Sequence, residues 1–209
     1  MTNETGTPLD DRLLLLLELM AGEGIHRAAE GLATMVGEEV TITRPKVVLV
    51  RLVELADTLG GAESEGVGIY LQVVGEIPGQ VVMIVPYAKA LELADLVLGV
   101  PEGTSQELGS LERSALAEVG NLTAAFFLNA VASMTGLHAR PSPPAVMVDM
   151  LGAILDIVIA TTEGIGDSLL LLDASFLRAG REVQARFCMI PDPKAIELIA
   201  SRSRDSRNA

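Results

Sequence analysis

Met134-Thr135-Gly136 is followed by Pro144-Ala145-Val146-Met147-Val148-Asp149, and the same text stands 99 residues earlier as Met35-Val36-Gly37 and Pro45-Lys46-Val47-Val48-Leu49-Val50. A third marker, Pro86-Tyr87-Ala88-Lys89-Ala90-Leu91-Glu92-Leu93, recurs as Pro191-Asp192-Pro193-Lys194-Ala195-Ile196-Glu197-Leu198. Its offset is 105, so the second copy holds about six extra residues between these markers. Three markers in one order identify a duplicated unit.

Working outward from the markers, both copies read alike. A long apolar-periodic stretch comes first, Asp11–Val36 and about Leu111–Thr135, and predicts a helix. Asp10 or Asp11 is a candidate N-cap for the first and Ser110 for the second. Gly37 and Gly136 stand where each helix should stop. The prolines open apolar runs, Lys46–Leu52 and Ala145–Leu151. Two strand-like pairs follow, Gly68–Val74 with Gln80–Val85 and Ser168–Phe176 with Glu182–Ile190. Glu76–Gly79 and Ala179-Gly180 supply the hairpin turns. A short helix closes each copy, Ala88–Leu98 and Lys194–Ser201. The expected fold is therefore α/β: a duplicated pseudo-twofold unit with an antiparallel-rich sheet and two long helices packed on it. One half alone would bury little, so a single domain over 1–209 is expected, made of repeats 9–99 and 110–200 around a shared sheet. Val100–Gly109 is the link between the copies, and the polar ends 1–8 and 202–209 are expected to fray.

The 209 residues are 49% hydrophobic with a mean hydropathy of +0.42, yet only 3% aromatic and without tryptophan, so the core must be aliphatic. Few aromatics argue against a stacking surface for single-stranded nucleic acid. A net charge of −13 opposes nucleic acid and anionic membranes, whose binding runs on Lys and Arg. No stretch reads as a membrane span. Charges flank Leu13–Leu17, and Asp149 and Asp156 interrupt Ala145–Ala160. Met1–Pro8 lacks signal-peptide order, so a cytoplasmic location is expected. Cys188, the one cysteine, cannot form an internal disulfide and reads as a small buried thiol on a strand.

The second long helix and its sequel read LERSALAEVGNLTAAFFLNAVASMTGLHARPSPP over 111–144. Ser114, Glu118 and Asn121 stand at i, i+4 and i+7, which places them on one stripe of a helix. An ordinary solvated helix face carries the same residue types. Two features point beyond it. Asn is a poor helix former and here follows Gly120, another poor one. The small residues Ala115, Ala117, Gly120, Ala124 and Ala125 are expected to leave the polar side chains open to a large partner.

The pattern Ser-x3-Glu-x2-Asn, then 22 residues, then Pro, fitted here by Ser114, Glu118, Asn121 and Pro144, resembles the signature of the CheC/CheX/FliY phosphatases of chemotaxis. The surrounding ALAEVGN and PSPPAVMVDMLGAIL also resemble CheC, and the likeness runs from about Leu9 to Ala200. The resemblance implies an aspartyl-phosphate phosphatase acting on the phosphorylated response regulator CheY. Glu118 would dock on the regulator's active-site Lys, and Asn121 would aim a water at the phosphorus. Phosphoryl transfer asks mainly for positioning, and a carboxamide both donates and accepts hydrogen bonds. Ser114 and Pro144 would be supporting residues. Mg²⁺ is expected on the regulator, and no cofactor on this chain.

Subtracting 99 from the four positions gives Leu15, Leu19, Gly22 and Pro45. Only the proline survives, so the first repeat is expected to hold a lost site. Leu13–Leu19 reads as core. A second partner implied by the resemblance is the receptor deamidase CheD, with the stretch Val148–Ile159, read as a helix carrying Asp149 and Asp156, as candidate surface. A helix merely packed on the sheet reads the same way. His26 and His138 have no partners at metal-ligand spacing. Two other functions stay open: an adaptor for CheD or the flagellar switch with little phosphatase activity, and a self-contained hydrolase of small phosphoesters. The missing metal constellation and Gly-rich phosphate loop count against the last.

Overall fold

Leu-, Ala- and Met-rich text without an internal proline makes the first element of each copy a helix. The computed structural model describes residues 11–36, 39–43, 46–51, 54–58, 60–160, 168–178, 180–191, 195, 197–199 and 201. The first copy runs α1 (Asp11–Val36), β1 (Thr41–Ile42), β2 (Lys46–Arg51), α2 (Leu55–Thr58), β3 (Glu65–Gly75), β4 (Gly79–Pro86) and α3 (Tyr87–Leu98). The second runs α4 (Ser110–Thr135), β5 (Ala139–Pro141), β6 (Ala145–Met150), α5 (Leu151–Ala160), β7 (Ser168–Arg178) and β8 (Arg181–Pro191), with helical residues again between 195 and 201. The two element orders match. The short strands β1 and β5 and the helix α2 were not foreseen, and the helix read over Val148–Ile159 is observed as α5, Leu151–Ala160. Gly37, Pro45 and Asp10 lie outside the described residues.

All eight strands share one sheet, in the order β1-β7-β8-β4-β3-β5, with β2 also on β7 and β6 also on β3. All its pairings are antiparallel. The equivalent strands β4 and β8 meet at the centre, Val82 opposite Cys188. At the flanks the copies exchange strands. β2 of the first copy adds to the hairpin of the second, and β6 of the second adds to the hairpin of the first. The registers obey the duplication. Lys46 pairs with Asp173; moving the first forward by 99 and the second back by 103 gives Ala145 and Tyr70, which pair.

Alternation along the strands assigns the two faces. Val67, Ile69, Leu71, Val73, Val81, Met83 and Val85 point into the larger core, under α1, α3 and α4. Val82, Ile84, Leu171, Cys188 and Ile190 point the other way, under α2 and α5. The long helices α1 and α4 lie against each other on the larger core. Two glycines let α4 come close to α1 and to the sheet. A Cβ at Gly24 would sit 2.5 Å from the Cα of Phe127 across the helix pair, and one at Gly120 would sit 2.6 Å from Ile69 Cγ2 on the sheet.

Several expectations are corrected here. Leu17 is buried and Leu16 packs partly buried against the core, but Leu15 and Leu19 are 56% and 46% exposed, so Leu13–Leu19 is not simply core. Ser110 does not cap α4. Gly109 takes the N-cap position, no side chain caps it, and Ser110 lies inside the helix. Asp149 belongs to β6 rather than to a helix, which begins only at Leu151. Ala115, Gly120 and Ala124 are buried and seat α4 on the sheet, instead of clearing space above it. α4 is also long and apolar enough, by length and composition, to cross a bilayer, although no stretch read as a span. Half of its most apolar window is buried, because it packs on α1 on one side and on the sheet below.

Candidate functional site

The site is built on α4, whose inward face is fixed by Leu116, Val119, Gly120, Thr123, Ala124, Phe127 and Val131. With that face inward, helical periodicity turns Ser114, Glu118 and Asn121 outward together. Ser114 is exposed, and Glu118 and Asn121 are half-buried, flanked by neighbours but not covered. At 1.5 Å rise per residue, Glu118 and Asn121 stand about 4.5 Å apart along the axis. Neither side chain has a hydrogen bond or ion pair among the described residues. The Ser114 hydroxyl donates to the carbonyl of Ser110 at 2.8 Å. It is thus committed to its own helix rather than to a general base.

The helix is held at both ends. Arg113 Nε donates to the Leu108 carbonyl at 2.8 Å, tying the first turn to the linker. Gly136, at φ 72°, closes the last turn in the left-handed region, where its N–H donates to the Ala132 carbonyl. The linker itself is fastened beneath. The buried Asp95 carboxylate accepts from the backbone N–H groups of Ser105 and Thr104, at 2.9 and 3.1 Å. Arg178 of β7 donates to the Leu96 carbonyl near the end of α3. Arg181 Nη1 donates to the Val100 carbonyl at 3.0 Å. Apart from Gly136, none of these anchors was singled out from the sequence, and the Arg178 and Arg181 bonds join residues 82 and 81 positions apart in the chain.

Pro144 lies half-buried at the entry to β6, in a loop pinned to β3 by paired bonds. Ser142 N–H donates to the Gln72 carbonyl at 2.7 Å, and Gln72 N–H donates to Ser142 Oγ at 3.0 Å. β6 in turn packs against α4. Asp149 is exposed near the far end of β6, its carboxylate accepting from the Met150 N–H at 2.8 Å. Five residues of strand, about 16 Å, separate it from Pro144. It does not join the stripe.

On α1 the equivalent positions carry the exposed Leu15 and Leu19 and the half-buried Gly22. Pro45 lies outside the described residues. Leucine and glycine side chains cannot pair with an ammonium group or orient a water. Elsewhere, His26 faces Glu30 at 3.7 Å on the open side of α1. Among the described residues no cluster of His, Cys, Asp and Glu could hold a metal ion. Cys188 is fully buried, and desolvation pushes its thiol up to about 12 against the lowering effect of Arg186. It stays protonated and unreactive at neutral pH.

Residues 111–148, the stretch that holds the whole stripe and Pro144, match the model of the CheC-like family. Over this stretch the chain is similar to CheC-like proteins. The CheY-P phosphatase CheC of Bacillus subtilis is 28% identical to it over 188 residues, covering 88% of this chain and 90% of that protein. Among solved structures, FliY of Thermotoga maritima superposes with a TM-score of 0.75 at 16% identity, covering 95% of this chain and 99% of that one. The FliM middle domain of H. pylori gives 0.66 at 11%, covering 92% and 99%. At such identities these two structures speak for the fold alone.

Proposed function

We propose that this protein hydrolyses the phospho-aspartate of a CheY-type response regulator. One observation carries the reading: a carboxylate and a carboxamide, Glu118 and Asn121, stand side by side on the outward stripe of a rigidly seated helix, with no partners among the described residues. A helix that presents two unpaired polar groups at fixed spacing suits insertion into another protein's pocket. Glu118 docks by pairing with the regulator's lysine. Asn121 accepts a hydrogen bond from a water and fixes its lone pair toward phosphorus. The water oxygen bonds to phosphorus, the bond from phosphorus to the aspartyl oxygen breaks, and the aspartate leaves as a carboxylate. The phosphate takes up the oxygen, and the water's proton is released. Mg²⁺ held in the regulator's acidic pocket would neutralise the phosphoryl oxygens, and this chain supplies only position.

The test follows the decay of a phosphorylated regulator with and without the protein. Wild type should accelerate it. Asn121→Ala should lose about a hundredfold or more of that acceleration while keeping its fold. Glu118→Ala should also weaken docking. An Asn121→Ala variant as active as wild type overturns the mechanism, and an unchanged decay with wild type favours the adaptor reading.

A second surface supports a further partner of the CheD kind. On α5, Ile157 and Ile159 are 47% and 42% exposed beside the exposed Asp156. Asp149 lies apart from them on β6. An Ile157→Lys variant that bound such a partner as wild type does would remove α5 from this reading.

A further inference from the structure

The stripe that carries Ser114, Glu118 and Asn121 begins one turn earlier. Leu111 stands three residues before Ser114 on the same side of α4, and it is 61% exposed. An exposed leucine is unremarkable by itself. Its position is what matters. Beyond Asn121 the stripe continues with Ala125, which offers only a methyl group. A body approaching α4 therefore meets an apolar knob, then the polar pair, then low ground.

We infer that Leu111 is a docking anchor for the regulator, fitting an apolar depression beside the regulator's phosphorylation pocket and setting affinity without touching the chemistry. The inference rests on the phosphatase reading above. Along the helix, Leu111 lies about 10 Å from Glu118 and about 15 Å from Asn121. An ordinary protein interface covers about 800 Å² per partner, a disc of roughly 16 Å radius. A partner seated on Glu118 and Asn121 thus reaches Leu111. The knob is continuous with the proposed interface, and this selects the regulator as its occupant. Leu15 and Leu19 are similarly exposed but sit on the other helix, off this stripe, so they provide an internal control.

The experiment combines steady-state dephosphorylation with direct titration of the regulator loaded with beryllofluoride, which mimics the phosphoryl group and needs no turnover. Leu111→Gln should raise KM and Kd about tenfold and leave kcat within about twofold. Leu111→Met should bring both back to within about threefold of wild type, and Leu15→Gln should change neither. A thermal melt checks that all variants are folded. Unchanged KM and Kd in Leu111→Gln would overturn the anchor while leaving the phosphatase reading standing. An equal rise in Leu15→Gln, or a fall of kcat instead of a rise in KM, would also overturn it. So would a wild-type self-association that Leu111→Gln abolishes, since the knob would then belong to a second copy. Wild type that binds the loaded regulator but speeds no decay would end the phosphatase reading, and the Kd values would still decide the role of Leu111.

Discussion

α1 and α4 have the same length, 26 residues, and occupy equivalent places on the same face of the sheet, yet only one carries candidate chemistry. Eight buried positions coincide under the shift of 99. Leu17, Met20, Ala21, Gly24, Ile25, Ala28, Ala29 and Leu32 correspond to Leu116, Val119, Gly120, Thr123, Ala124, Phe127, Leu128 and Val131, and all sixteen are buried. Their outward stripes share nothing: Leu15, Leu19 and Gly22 against Ser114, Glu118 and Asn121. Packing is held to position because a buried side chain has a fixed volume to fill. The outward stripe answers only to a partner, so one copy can lose its polar groups at little cost to the fold.

The sharpest way to break this comparison is to move the stripe. Leu15→Ser, Leu19→Glu and Gly22→Asn, placed together on α1 in the Asn121→Ala background, should recover acceleration of regulator dephosphorylation by about tenfold or more over that background. Failure with a folded protein would mean that α1 lacks something besides the three side chains.

A second test strikes the seam between the helices. Gly24→Ala places a Cβ 2.5 Å from the Phe127 Cα. Alanine gains about 1 kcal/mol in helix propensity. The contact, however, is with backbone, which cannot rotate away, so a net loss of about 1–3 kcal/mol in urea unfolding is expected. A stabilised Gly24→Ala protein would show that the helices can separate freely.

The smallest expected effect is also diagnostic. Leu19→Gln should change unfolding free energy by less than about 0.5 kcal/mol, since this leucine is nearly half exposed. A core leucine at the same cost-free position would be a contradiction, because burying one contributes about 1.5–3 kcal/mol.

Much of this was legible in the text of the chain. The hairpins appeared within a few residues of their observed ends, because alternation and turn residues are local signals. So was the spacing of Ser114, Glu118 and Asn121, since the helical repeat alone places them on one stripe. Asp149 was misplaced because an apolar run of that length suits a strand or a helix equally, and only pairing with Gly66 decides for the strand. Leu15 and Leu19 were misread because a run of leucines does not say which of them meet a neighbour.

The amino-acid order by itself determined the duplication, the succession of elements and the loss of polar groups from the first copy, all of which depend on periods and spacings a few residues long. Only the tertiary structure decided that β2 and β6 cross to the opposite hairpin, that Gly24 and Gly120 lie where α4 comes close to α1 and to the sheet, and that Leu111 stands uncovered near the polar pair. Periodicity states which side chains share a face. What covers that face depends on contacts between segments distant in the chain, which no local pattern records.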